Sequence, residues 1–154
     1  MYPALKRLRE LGQGKWVVGA LSNTVHFPTG ILDDEGVLFD KSITFDRAEH
    51  KGDPTFVGDW FDIFLSSAHI GVRKPDPEAY KLSVRELSRV SEEKGLGKIT
   101  AGDVLFLDDI GINLKYARKS GLRTIKVNLG ETKEAVRQLE KEVGVGLLDD
   151  RSKL

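Results

Sequence analysis

The stretch that decides the fold is VLFLDDIGINLKYARKSGL, residues 104–122. An apolar run from Val104 to Leu107 reads as a buried strand, and two adjacent carboxylates, Asp108 and Asp109, end it. A helix over 111–119 follows, with Gly121 as its stop. Side-by-side acids repel one another and are costly to desolvate. At a strand terminus they point to a metal ion, to phosphate chemistry or to a helix cap.

The pattern repeats on both sides of this stretch. Downstream, RTIKV (123–127) reads as a strand and 131–143 as a helix. Upstream, WFDIFLSS carries a strand near 63–66, and GVRKPDPEAY is an extended turn into a helix that runs to about Val90. Asp76 suits its N-cap, Pro77 its first position and Glu78 the positive end of its dipole. Nearer the start, Leu5, Leu8 and Leu11 recur at helical spacing after Pro3, GQG ends that helix, and WVVGAL (16–21) is a second buried strand. From 26 to 58 the chain is rich in Asp, Gly and Pro without a sustained period. It reads as a loop insertion with a short hairpin around VLFDKSITF. The tail LLDDRSKL reads as frayed.

Alternating strands and helices, with strands that are continuous apolar runs, imply a mostly parallel sheet covered on both faces. Right-handed crossovers make it a doubly wound, Rossmann-like α/β sheet. At 154 residues the chain suits a single domain, 1–154.

Lys plus Arg and Asp plus Glu each number 24, so the overall field steers neither nucleic acid nor an anionic membrane surface toward the protein. Any anion site must be local. The absence of cysteine removes disulfides, thiol catalysis and thiolate metal sites together. His26, His50 and His69 are too scattered for a zinc pattern. The opening MYPALKRLRELG is charged and amphipathic, unlike a secretory signal or a membrane span, and the expected setting is the cytoplasm.

In an open parallel sheet, ligands bind beyond the carboxyl ends of the strands. The residues there are Ser22 and Asn23 after the first strand, Lys74 after the second, and Asp108 and Asp109 after the third. Taken singly, Ser22 reads as a turn residue, Lys74 as a solvated charge and Asp109 as a helix cap, with Asn113 a local bonder at the helix end. Jointly, a hydroxyl, an ammonium and paired carboxylates are the groups that hold a phosphoryl group beside a hard cation.

With those residues in hand, ALSNT, GVRKPDPEAY and VLFLDDIGINLKYARKSGLRTI resemble motifs two, three and four of the haloacid dehalogenase-like hydrolases. They are most similar to the phosphatase domain that opens the soluble epoxide hydrolases. The similarity covers most of 1–30 and 57–148. The resemblance implies Mg²⁺-dependent phosphatase-type chemistry on a small phosphorylated substrate through an aspartyl-phosphate. By the same resemblance Ser22 and Asn23 bind the phosphoryl group, Lys74 neutralises charge on nucleophile and phosphate, and Asp109, assisted by Asp108, holds Mg²⁺.

Members of that family begin with a strand ending in D-x-D-x-[TV], which supplies the attacking aspartate. No such strand precedes Ser22 here. Asp33 with Glu35, and Asp40 with Thr44, imitate parts of the motif but come after motif two and follow no solid apolar strand. The resemblance therefore implies a sheet incomplete at its central strand. Its two flanking strands would stand two spacings of about 4.8 Å apart unless another segment joins them. The expectation is a truncated, nearly inactive and poorly stable chain that needs a homodimer or a partner segment to complete the sheet. A non-catalytic fragment or pseudoenzyme that binds phosphate or protein is the alternative. A receiver domain would place its acidic pair first and its lysine last, the reverse of the order here. A dinucleotide-binding module would need a G-x-G-x-x-G that the sequence lacks.

Overall fold

In a computed structural model of the protein, the described residues are 1–24 and 57–148. Nine elements follow in chain order among them. These are α1 (Tyr2–Leu11), β1 (Gly19–Ser22), β2 (Ile63–Ser66), α2 (Ser67–Ile70), α3 (Pro77–Glu93), β3 (Leu105–Asp108), α4 (Gly111–Lys119), β4 (Arg123–Lys126) and α5 (Thr132–Val143). Short 3-10 turns lie at Val57–Trp60 and Ala101–Asp103. The fold is α/β with parallel strands. The expected hairpin and nearly all of the 26–58 insertion lie outside the described residues.

Helix α3 shows how local chemistry sets an element. The Asp76 carboxylate accepts the Glu78 N–H at 2.9 Å, and Pro77 takes the first turn, where a missing N–H costs nothing. Ala79, Tyr80 and Ser83 then recur on one buried face. The helix continues three residues past the expected Val90, to Glu93. Gly19 on β1 faces this helix, and a Cβ there would stand 2.8 Å from Leu87 Cδ2, so a larger residue would require the leucine tip to shift. Gly121 ends α4 as expected, at a φ of 90°.

Strands pair in parallel twos. Gly19 lies opposite Ile63 and Ser22 opposite Ser66, while Leu105 lies opposite Arg123 and Asp108 opposite Lys126. No ladder joins β1 to β3 among the described residues, so the expected sheet is present as two half-sheets. The pleat of β3 sends its side chains to two separate cores. Leu105 and Leu107 meet Ala4 and Leu8 of α1 and Ala135, Val136 and Leu139 of α5. Val104 and Phe106 meet Tyr80 of α3 and Ala117 of α4. Helices thus cover both faces, as the apolar strands require.

Two expectations at element ends are corrected. β1 begins at Gly19 instead of residue 16, because the Trp16 indole N–H turns back to the Leu8 carbonyl at 3.1 Å and closes the end of α1. The tail is not frayed at its start: Leu147 is 1% exposed, and its N–H and that of Leu148 donate to Glu140 Oε1 at 2.6 and 2.9 Å. Burying that leucine against α1 and α5 outweighs the cost of ordering the segment. Among the described residues, no helix is long and apolar enough to cross a membrane.

Candidate functional site

The carboxyl ends of β1, β2 and β3 are joined by one run of hydrogen bonds. Beyond β1, the Asn23 side-chain amide clamps the backbone of Lys74 in both directions. Its Nδ2 donates to the Lys74 carbonyl and its Oδ1 accepts the Lys74 N–H, each at 2.9 Å. From that fixed backbone Lys74 Nζ reaches Asp108 Oδ2 at the end of β3, at 2.7 Å. The ammonium also stands 5.3 Å from the centre of the Phe106 ring, whose face favours a cation. Both charges are largely withdrawn from water, with 11% of the lysine side chain and 5% of the aspartate side chain exposed.

Asp108 is fully engaged. Its Oδ1 accepts the Ile110 N–H at 2.8 Å and Asn113 Nδ2 at 3.1 Å. Its Oδ2 accepts Lys74 Nζ and, at 3.2 Å, Asn113 Nδ2 again. Satisfying every oxygen in this way is what makes a buried carboxylate tolerable. Asn113 is the expected local bonder at the helix end, in the first turn of α4, and at 3% exposure it is a buried support for Asp108. Its own backbone carbonyl accepts the Tyr80 hydroxyl at 2.8 Å, tying α3 to α4 directly behind the aspartate.

Asp109 behaves in the opposite way. It is exposed, and no hydrogen bond or ion pair engages it among the described residues. It does not cap α4, whose N-cap is Ile110 with no side-chain bond. Ser22, half-buried at the end of β1, likewise keeps its hydroxyl unengaged by described residues. The two adjacent acids therefore divide the work: one neutralises the lysine, and the other faces outward with its oxygens available.

Sequence reasoning missed three supports. Nothing in the sequence singles out Tyr80, Asn113 reads only as a local bonder at the helix end, and the Ser66–Ser67 pair at the end of β2 carries no signal by itself. The Ser67 hydroxyl accepts the Thr24 N–H and donates to the Thr24 carbonyl, both at 2.9 Å, and the Ser66 and Thr24 hydroxyls are bonded to each other. That latch pins the chain immediately after Ser22 and Asn23. The register that sets Ser22 opposite Ser66 makes it possible.

Tyr80 senses this site. Its phenol is pushed up from 10.0 to about 12, first by burial and then by the Asp108 carboxylate, since both disfavour a second negative charge. Below pH 10 the folded and unfolded chains both hold that proton and the group adds no pH dependence. Between pH 10 and pH 12 the unfolded chain releases it first, so stability falls across that window, by about 2–3 kcal/mol for the two-unit shift. Urea unfolding at a series of alkaline pH values should show this slope in the wild type. Tyr80→Phe should remove it, and an unchanged slope in that variant would contradict the assignment.

A metal site requires oxygen ligands with free lone pairs. Among the described residues, no three His, Cys, Asp or Glu side chains gather around one point. Magnesium, however, is commonly held by one or two carboxylates, with phosphate oxygens and water completing its octahedron. A lone outward carboxylate beside an ammonium fits that mode and does not fit an all-protein cage.

No family model matches the chain. It is 41% identical over 88 residues to bifunctional epoxide hydrolase 2 of Sus scrofa, which covers 57% of this chain and 14% of that protein. It is 38% identical over 87 residues to acyl-CoA dehydrogenase family member 10 of Mus musculus, covering 56% of this chain and 7% of that protein. Among solved structures, a HAD family enzyme of Bacteroides thetaiotaomicron is 30% identical over 82% of this chain and 49% of its own, with a TM-score of 0.46. The same enzyme has been solved in complex with magnesium and inorganic phosphate. The chain thus spans a small part of its curated relatives and about half of the bacterial enzyme. Over the shared segment the chain is similar to bifunctional epoxide hydrolase 2, and its motifs two, three and four resemble those of the haloacid dehalogenase-like hydrolases.

Proposed function

We propose that the strand-end site is the phosphate- and magnesium-binding part of a Mg²⁺-dependent phosphatase-type hydrolase, acting on a small phosphorylated metabolite of the cytoplasm through an aspartyl-phosphate. The observation that carries this reading is the bonded run from Asn23 through Lys74 to Asp108, with Asp109 and Ser22 left open beside it. In it Ser22 donates to a phosphoryl oxygen, and Asn23 holds the Lys74 backbone so that the ammonium faces the same anion. Asp109 ligates the cation, while Asp108 serves it indirectly by anchoring Lys74. Bound Mg²⁺ would supply charge neutralisation on the phosphoryl oxygens.

Attack on phosphorus needs a carboxylate with a free oxygen in line with the phosphoryl group; Asp108 has none free, and in this reading Asp109 is taken up by the cation. With no third carboxylate gathered beside these two among the described residues, the site is expected to bind phosphate without turning over an ester, since lacking a covalent nucleophile costs about 10⁶ in turnover. The same saturation of Asp108 favours a second reading, a phosphate-binding module without catalysis.

Calorimetric titration of inorganic phosphate with and without Mg²⁺ tests the binding claim. Binding should strengthen with Mg²⁺, Asp109→Asn should abolish that strengthening, and Lys74→Gln should weaken phosphate by about tenfold or more. Phosphate affinity indifferent to both substitutions would overturn the assignment. Hydrolysis of a chromogenic phosphate ester well above a Lys74→Met control would overturn the expectation of inactivity.

A further inference from the structure

From Ile110 to Gly130 the chain carries three lysines, two arginines and no acid, although its charges balance overall. Three large apolar side chains in the same stretch stand in water: Ile110 is 51% exposed, Ile112 47% and Leu129 81%. Exposed leucine or isoleucine is ordinary when scattered, but a group of them among cations marks a surface that something covers.

The fold gathers these residues at one corner. β3 and β4 run in parallel with Asp108 opposite Lys126, and the Val127 N–H donates to the Asp108 carbonyl. The two segments that leave their carboxyl ends, one carrying Ile110 and the other Leu129, therefore emerge side by side. Helix α4 starts from the first of them and turns Asn113, Leu114 and Ala117 inward. Ile112, Lys115 and Lys119 recur at i, i+3 and i+7 on the opposite, exposed stripe. Arg118 borders that stripe and donates from Nη1 to Thr124 Oγ1 at 2.8 Å, which ties the stripe to β4 two residues before Lys126.

Arg123 is neutralised by Glu142 at 2.6 Å. The other four cations, Lys115, Arg118, Lys119 and Lys126, have no acidic partner among the described residues. Lysine on an edge strand discourages stray strand pairing, which accounts for Lys126 alone. It explains neither the charges along α4 nor the exposed isoleucines and leucine.

We propose that this corner docks on an anionic lipid surface, with Lys115, Arg118, Lys119 and Lys126 among the headgroups and Ile110, Ile112 and Leu129 inserted at the acyl boundary. Anionic headgroups answer the cations, and the hydrocarbon beneath them takes the apolar tips. A fully charged soluble polyanion would satisfy the cations and leave Leu129, the most exposed of the three, in water. Balanced total charge gives no pull at a distance, so the local surplus acts at contact, within a Debye length of about 8–10 Å.

Flotation of the full 154-residue chain with two kinds of vesicle tests the docking: phosphatidylcholine alone, and the same lipid with about 30% phosphatidylserine. The chain should float with the second and not with the first, and about 0.5 M NaCl should release it. Lys115→Gln combined with Lys126→Gln should weaken partitioning about thirtyfold, at about fivefold for each cation. Ile112→Ser combined with Leu129→Ser should weaken it about tenfold and leave the salt dependence in place. All four side chains are exposed, so the fold tolerates both pairs of changes. No flotation with the anionic vesicles, equal flotation with both kinds, or full binding by either double variant would overturn the proposal. Poly-glutamate or duplex DNA bound as tightly as the anionic vesicles would overturn it in favour of a soluble polyanion. None of the substituted residues belongs to the strand-end site, so loss of docking leaves the phosphate assignment untouched.

Discussion

Exchanging Lys74 for methionine is expected to lower the free energy of unfolding by about 3–5 kcal/mol, read as an earlier midpoint in urea. The cause is what remains, not the contact that goes. Asp108 would stay buried with Asn113 and the Ile110 N–H as its donors, an ionised carboxylate in a low-dielectric setting without its counter-ion. The opposite change, Asp108→Asn, should cost less. A lysine stripped of its partner can carry its ammonium toward water on a flexible stem, whereas the aspartate sits on a strand and cannot move. Combining the two changes should recover much of the loss from Lys74→Met, because no charge is then left buried. Domains are stable by only about 5–15 kcal/mol, so the single lysine change consumes a large share of the total.

Tyr80→Ala should cost about 3–5 kcal/mol, and Tyr80→Phe only about 1. The ring is fully buried and meets Phe106 edge-on, with centroids 5.7 Å apart at 81°. Its removal opens a void where α3, β3 and α4 meet, a place hemmed in by helix and strand backbones that cannot collapse far. The phenylalanine variant keeps that packing and loses only the hydroxyl bond to the Asn113 carbonyl. Differential scanning calorimetry of both variants separates the two contributions. Equal losses would place the weight on the hydroxyl and contradict the packing account.

Much of this architecture was legible because its signals are local. The cap at Asp76, the stop at Gly121 and the strand that ends in twin acids each follow from residues adjacent in sequence. The order of strand ends groups Ser22, Asn23, Lys74, Asp108 and Asp109 as candidates, and the structure joins Asn23, Lys74 and Asp108 directly. The division of roles between the two acids was not legible. Successive residues on a strand point to opposite sides, so one of the pair had to turn inward, but which one depends on Asn113 and Tyr80 approaching from two helices. Trp16 and Leu147 escaped for a similar reason. Each is placed by a partner on another element, the Leu8 carbonyl for one and the core beneath α1 and α5 for the other.

A double-mutant cycle between Lys74 and Asp108, scored by urea unfolding of the four chains, tests most directly whether these strand ends act as one site. Contact between the two charges predicts a coupling of about 2 kcal/mol or more. Additivity of the two substitutions within about 0.5 kcal/mol would mean that lysine and aspartate do not meet in solution, and the site built on their meeting would not exist.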